Sequence, residues 1–178
     1  TDADNHGVAT VAAVYLQDQM QLTSHWQAVA GVRFDAFDLD FTNNRNGVTL
    51  ASRDRLLSPR LGVVYKPILP VSIYGSYTLT YIPRSGDQLS SLSLSNQALE
   101  PEQFRNYEAG VKWDVGQAVA VTGALYRLDR GNVAIADPND TTRSILVDAQ
   151  RTMGLELEMN GTIGALGFSA GYAWQDGE

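Results

Sequence analysis

Two pairs of carboxylates, Glu100 with Glu102 and Glu156 with Glu158, are the first residues in this chain whose types and spacing could do chemistry. Paired carboxylates can divide acid and base roles between them, as in glycoside hydrolysis. A spacing of two puts both members on one side of a β-strand, so on strands these pairs are expected to be solvated groups rather than a facing acid–base couple. His6 and His25 are isolated, and with no Cys in the chain neither has a second ligand at metal-binding spacing. No G-x-S-x-G elbow, P-loop or dinucleotide fingerprint occurs. The chain is therefore expected to be no enzyme and to hold no metal or cofactor of its own.

The segments carrying these residues are strands. Apolar residues recur at every second position in Trp26, Ala28, Ala30, Val32, Phe34 and Ala36, with Gln27, Gly31, Arg33 and Asp35 between them. The same period runs through Leu57, Leu61, Val63 and Tyr65, and through Val71, Ile73, Gly75, Tyr77, Leu79 and Tyr81. It returns in Tyr107, Ala109, Val111 and Trp113, in Met153, Leu155 and Leu157, and in Phe168, Ala170, Tyr172 and Trp174. Residues 8–20 and 119–129 are rich in Val, Ala, Thr and Tyr and also read as strands, although the orientation of 119–129 stays unassigned. About eight strands of roughly ten residues result, the length that a tilted membrane strand needs. Arg33, Asp35, Arg60, Lys66, Glu108, Lys112, Glu156 and Glu158 fall opposite the apolar side, and no strand is expected to break that rule.

The connections alternate in length. Short ones lie near Thr23-Ser24, at Lys66–Pro70, at Asp114–Gln117 and near Gly161–Gly164; long polar ones run through Asp40–Arg53, Pro83–Gln103 and Gly131–Arg143. Tight turns at one end and long loops at the other are what an outer-membrane barrel shows, whereas a Greek-key sandwich has no reason to sort its loops by length. Trp26, Tyr65, Tyr81, Trp113, Tyr172 and Trp174 sit near strand ends, where rings can lie at a lipid–water boundary. Composition is consistent with this but does not decide it. Of 178 residues, 44% are hydrophobic and 19% charged, a bland average that soluble β proteins and membrane barrels share. No apolar run approaches the roughly 18 residues of a membrane helix. The net charge of −7 argues against a nucleic-acid partner. The opening Thr1-Asp2-Ala3-Asp4 has neither a charged n-region nor an apolar h-region, so no signal peptide is expected within the chain.

Several short motifs then occur in a familiar order. Val14-Tyr15-Leu16-Gln17-Asp18-Gln19 followed by Gly31-Val32-Arg33-Phe34-Asp35 resembles paired strands of TonB-dependent siderophore receptors. Leu57-Ser58-Pro59-Arg60-Leu61-Gly62 through Tyr65-Lys66-Pro67, and Tyr74-Gly75-Ser76-Tyr77 leading to Pro83, are similar to the next strands of that family. So are Leu99-Glu100-Pro101-Glu102 with Asn106-Tyr107-Glu108-Ala109-Gly110-Val111-Lys112, Leu125–Val133, and Gly154-Leu155-Glu156-Leu157-Glu158.

The resemblance implies an all-β, antiparallel, up-and-down transmembrane barrel of 22 strands, of which residues 1–178 supply about eight meandering strands of one barrel domain, with the plug domain and TonB box absent. It implies a location in the outer membrane of a Gram-negative bacterium and uptake of ferric siderophores, in which the iron is held by its chelator. The partners implied are the ferric siderophore, TonB acting through a missing N-terminal region, and outer-membrane lipid and lipopolysaccharide. Anionic chelates favour arginine, and Arg84, Arg130 and Arg143 lie near the appropriate strand ends as candidate ligand contacts. A complete small eight-stranded barrel, a soluble β-sandwich binding module and an outer-membrane enzyme are the alternatives, and vitamin or saccharide uptake is a variant of the transport reading.

Overall fold

The computed structural model describes residues 4–83, 99–147 and 150–178. Every regular element among them is a strand. In chain order these are β1 (Asn5–Gln21), β2 (Trp26–Asn43), β3 (Thr49–Ile68), β4 (Val71–Ile82), β5 (Glu102–Val115), β6 (Val119–Gly131), β7 (Val133–Asp137), β8 (Asp140–Val147), β9 (Gln150–Ile163) and β10 (Leu166–Gly177). An eight-stranded sheet runs β1-β2-β3-β4-β5-β6-β9-β10, and β7 pairs with β8 as a separate two-stranded ribbon. All pairings are antiparallel, so the meander expected from the sequence is present. Among the described residues β1 and β10 each have one hydrogen-bonded neighbour, which makes this an open length of wall.

Residues directly opposite in an antiparallel pair share a face, so the register assigns sides. One row reads Trp26–Tyr65–Ile73–Val111–Gly123–Leu157–Tyr172, and the next Met20–Ala28–Val63–Gly75–Ala109–Leu125–Leu155–Trp174. Both are wholly apolar. The opposite face carries Gln17, Arg33, Ser58, Arg60, Thr78, Glu108, Lys112, Glu156 and Glu158. This orients β6, left unassigned by sequence: Val121, Gly123 and Leu125 join the apolar side.

Almost nothing in the sheet is buried. Leu39, Leu50, Leu56 and Val133 are the buried apolar side chains among the described residues, while Leu125 is 60%, Leu157 45% and Trp174 52% exposed. A soluble sheet would press its apolar face onto a second layer. A barrel wall presents it to lipid.

The rows also slope. Gln27, beside the start of β2, is in register with Val64, Tyr74, Gly110, Ala124, Glu156 and Ala173, and Ala173 lies past the midpoint of β10. Strand ends therefore step steadily along the register, the stagger that accompanies the strand tilt of a barrel, about 35–45°.

The short connections are as expected, at 22–25, 69–70, 116–118 and 164–165, all on one edge. Gly164 takes φ 61° in the two-residue turn closing β9 onto β10, where a left-handed residue matches the strand twist.

The expected loops need correction. Residues 40–53 are not a loop: β2 and β3 stay paired as far as Thr42 and Thr49 and close through a tight turn at 44–48. Residues 131–143 are largely strand, contributing β7 and the start of β8. Consequently β1, β2 and β3 have 17, 18 and 20 residues rather than about ten. Polar composition had suggested loops, but cross-strand ion pairs and a small inward cluster hold these residues in register. Leu39 and Leu50 pack there with Phe37, Phe41 and Val48. The loop expected at 83–103 lies mostly outside the described residues.

The rule that no charge enters the apolar side also fails. The row containing Ala30, Leu61, Tyr77 and Tyr107 has Asp18 at its β1 end and Arg127 and Asp176 at its far end. Because the rows slope, these positions lie at opposite edges of the apolar band. Above it the pattern inverts: Asp38, Asp40, Arg53 and Arg55 point outward, while Phe37, Leu39 and Phe41 point in. The inversion marks where the apolar band ends on β2 and β3.

The facing assignment predicts an asymmetry in the full-length protein. Leu157→Arg, at mid-band, should cost about 2–4 kcal/mol of stability in lipid vesicles. Ser169→Arg, on the opposite face of β10, should stay within about 0.5 kcal/mol. Equal shifts in denaturant midpoint would contradict the sidedness.

Candidate functional site

The polar face is organised around two tyrosines lying across glycines. Tyr74 on β4 stands opposite Gly110 on β5, and Tyr126 on β6 opposite Gly154 on β9. A Cβ at Gly110 would fall 2.6 Å from the Tyr74 ring, and one at Gly154 would fall 2.5 Å from the Tyr126 ring. Only glycine leaves room for each ring to lie flat on the neighbouring strand. The Tyr74 hydroxyl donates to Glu108 at 2.6 Å, and Lys112 Nζ stands 5.7 Å from its ring centroid. The Tyr126 hydroxyl points to Gln175 at 3.4 Å. Rings and carboxylates thus interlock across β4, β5, β6, β9 and β10 on the lumen side. Glu156 and Glu158 share this face as the sequence expected, and no cluster of metal-ligating side chains occurs among the described residues.

At the end away from the short turns, Arg130 terminates the same face. Its Nε and Nη2 donate to Glu102 at 2.9 and 2.7 Å, Nη1 donates to Gln150 at 2.9 Å, and the guanidinium lies 5.6 Å from the Phe104 ring centroid. Asn132 follows with a left-handed φ of 56° and donates to the Pro101 carbonyl at 3.0 Å and to Glu100 at 3.3 Å. Together these contacts tie residues 100–104 to the end of β6. Glu102, Phe104 and Gln150 are partners that the sequence could not identify, being 28, 26 and 20 positions away from Arg130. Arg143 stands elsewhere, on the β7–β8 ribbon, with its side chain 77% exposed and Nε 3.4 Å from Asp140. The structure does not bring Arg130 and Arg143 together, and Arg84 lies outside the described residues.

Above the lipid-facing band the outward side carries ion pairs. Arg53 donates to Asp40 at 2.6 Å, which raises its pKa, and Arg55 lies 3.0 Å from Asp38. Asp129 receives Arg127 and Arg151, each at 2.8 Å.

The model of the β-barrel of TonB-dependent receptor-like proteins matches residues 1–178, the full length of the chain. The chain belongs to the TonB-dependent receptor β-barrel family. It is 30% identical over 185 residues to the metal-pseudopaline receptor CntO of Pseudomonas aeruginosa, covering 99% of this chain and 25% of that protein. It is likewise 30% identical over 170 residues to the ferrichrome outer membrane transporter/phage receptor of Escherichia coli, covering 93% of this chain and 22% of that protein. The crystal structure of the siderophore receptor PiuA from Acinetobacter baumannii superposes with a TM-score of 0.88 at 28% identity, over 98% of this chain and 26% of that one. The chain thus spans about a quarter of the length of these relatives.

This TonB-dependent receptor barrel segment is an outer-membrane wall, so its exposed apolar face is a lipid face. The family motifs also acquire physical content. The glycine of Glu108-Ala109-Gly110-Val111-Lys112 and that of Gly154-Leu155-Glu156 are the seats of Tyr74 and Tyr126. A sequence pattern shows the glycines but not which ring lies on each.

Gly154→Val in the full-length receptor should destabilise the barrel by about 1–3 kcal/mol through overpacking against Tyr126. Adding Tyr126→Ala should recover part of that loss, a coupling of about 1 kcal/mol in a double-mutant cycle. Denaturant midpoints with heat-modifiable gel migration report both, and strictly additive effects would refute the seat.

Proposed function

We propose that the full-length receptor takes up ferric siderophores across the outer membrane, with this chain forming part of its wall and mouth. What chiefly supports this is the family match over the entire chain, joined to relatives named as receptors for metal-pseudopaline and siderophores and as a ferrichrome transporter. The geometry agrees in kind: an apolar outside, a polar inside, and arginines at the open end. The iron would arrive inside its chelator, so the wall would have no need of metal ligands. Energy would come from TonB through a region N-terminal to the barrel.

Of the ligand candidates, Arg143 is the more available. Its side chain projects from the β7–β8 ribbon with one weakly engaged carboxylate beside it. Arg130 would act by holding the shape of the mouth, unless an anionic chelate drew it away from Glu102. Arg84 adjoins Pro83 at the end of β4 and completes the set as a candidate from sequence alone.

The test is uptake of 55Fe by a siderophore-receptor-deficient Gram-negative strain expressing the full-length receptor. With a panel of catecholate, hydroxamate and carboxylate ferric chelates, at least one should be accumulated, and deletion of TonB should abolish that uptake. Arg143→Glu should weaken binding of an anionic chelate by about fivefold, the scale of one exposed charge pair. Binding of cobalamin or an oligosaccharide with no uptake of any ferric chelate would overturn the siderophore reading.

A further inference from the structure

Two asparagines in this chain precede a glycine: Asn46 before Gly47, and Asn160 before Gly161. Such a step carries its own chemistry. The glycine amide nitrogen, with no side chain to hinder it, can attack Cγ of the asparagine carboxamide. Ammonia leaves, and water then opens the cyclic imide to aspartate or isoaspartate. The net change replaces the side-chain NH2 by OH, with water the only co-reactant. Attack needs the backbone around the asparagine to move, so the fold decides where the reaction runs.

The two steps stand in opposite surroundings. Asn46 and Gly47 are exposed in the turn that closes β2 onto β3, beyond the last ladder pair of Thr42 with Thr49. Gly47 takes a left-handed φ of 70°, and no atom lies within 4 Å of where its Cβ would sit. Asn46 Oδ1 accepts from the Val48 N–H at 3.0 Å, a local bond that folds the carboxamide back along the glycine amide and polarises its carbonyl. The Gly47 N–H donates to the Asn43 carbonyl at 2.8 Å, and this bond must open first. In an exposed turn that opening costs least. Asn43 and Asn44 are held more firmly: Oδ1 of the first accepts from the Arg45 N–H at 3.0 Å, and the carboxamide of the second donates to Asp4 at 2.8 Å. Neither is followed by glycine.

Asn160 lies inside β9, between Ala120 of β6 and Ser169 of β10, and Gly161 between Val119 and Phe168. A Cβ at Gly161 would fall 2.6 Å from the Ala118 carbonyl oxygen, so neighbouring backbone closes over that glycine. We propose that Asn46 is a site of spontaneous deamidation in the folded receptor, and that pairing on both sides protects Asn160 from the same reaction. Either product puts a new carboxylate at the β2–β3 turn. The isoaspartyl form also inserts a methylene into the main chain between residues 46 and 47, inside the loop that Asn43 closes with Gly47 and Val48. Val48 packs on the Leu39–Leu50 cluster, so the change loosens that end of the hairpin and leaves the apolar band alone. The inference is independent of which substrate the receptor carries.

The experiment ages the purified full-length receptor in mild detergent at neutral and at mildly alkaline pH, and follows both peptides by mass spectrometry. Electron-based fragmentation separates aspartate from isoaspartate. The Asn46 peptide should gain the mass difference between NH2 and OH, faster at the higher pH because the attacking amide must lose its proton. Asn160 should convert roughly tenfold more slowly or less, since a ladder with partners on both sides opens far more rarely than an exposed turn. In receptor unfolded by urea the two sites should react at similar rates. Asn46→Gln should abolish the signal at that position, because glutamine closes the corresponding larger ring far more slowly. Gly47→Ala should slow it, and heat-modifiable migration checks that each variant is folded. Ageing should also speed protease cleavage near the β2–β3 turn in the parent and leave Asn46→Gln unchanged. An Asn46 that stays intact in the folded receptor while converting in urea would overturn the proposal. Conversion of Asn160 as fast as Asn46 in the folded receptor, or of Asn43 or Asn44 ahead of Asn46, would overturn it too.

Discussion

Backbone hydrogen bonding is the constraint on which this structure depends. Where one face of a sheet meets hydrocarbon, no water can satisfy a stray N–H or C=O, and each unpaired group costs several kcal/mol. The wall answers with antiparallel ladders between successive strands, nearly continuous except where β3 meets β4, which pair only from Arg60 onward and with a register shift between Tyr65 and Ile68. Packing contributes little by comparison, since buried apolar side chains are few among the described residues, and only Leu39 and Leu50 cluster, at one end of β2 and β3. Stability in such a wall comes from ladders, from lipid on one side, and from cross-strand pairs on both.

Those cross-strand pairs divide by face. On the lipid side, Trp26 stacks on Tyr65 at 4.5 Å and Tyr77 meets Tyr107 at 5.1 Å, apolar contacts that suit a ring at an interface. On the lumen side, Tyr74 and Tyr126 lie on Gly110 and Gly154 and carry their hydroxyls to Glu108 and Gln175. The lumen pairs link β4 to β5, and β6 to β9 and β10, across the polar face.

The slope of the register connects these local facts to the membrane. A row that starts at Asp18 and ends at Arg127 and Asp176 crosses the apolar band obliquely, so charges at opposite ends of one row occupy opposite edges of the band. The inversion of β2 and β3, apolar inward and charged outward beyond Ala36, follows from the same cause. These strands outrun the hydrocarbon and, with β1 still paired to β2, form there an extension with its own small core.

By itself the sequence determined the kind of wall this is. Period-two alternation separates an apolar from a polar side on most strands, though not on β6 nor on β2 and β3 beyond Ala36, because side chains on a strand must alternate, and short turns at 69–70, 116–118 and 164–165 are local events readable from Gly and Pro. The ordered motifs were enough to point to the receptor family. Tertiary structure alone decided what depends on pairing between distant residues: that 40–53 is hairpin, that β6 turns Arg127 and Asp129 outward, that Arg130 is held by Glu102 and Gln150, and that Gly110 and Gly154 are seats for tyrosines. Each of these turns on register, and a shift of one residue would reverse every face. Alternation tells a strand which side is which, but only its neighbour tells it which residue it stands beside.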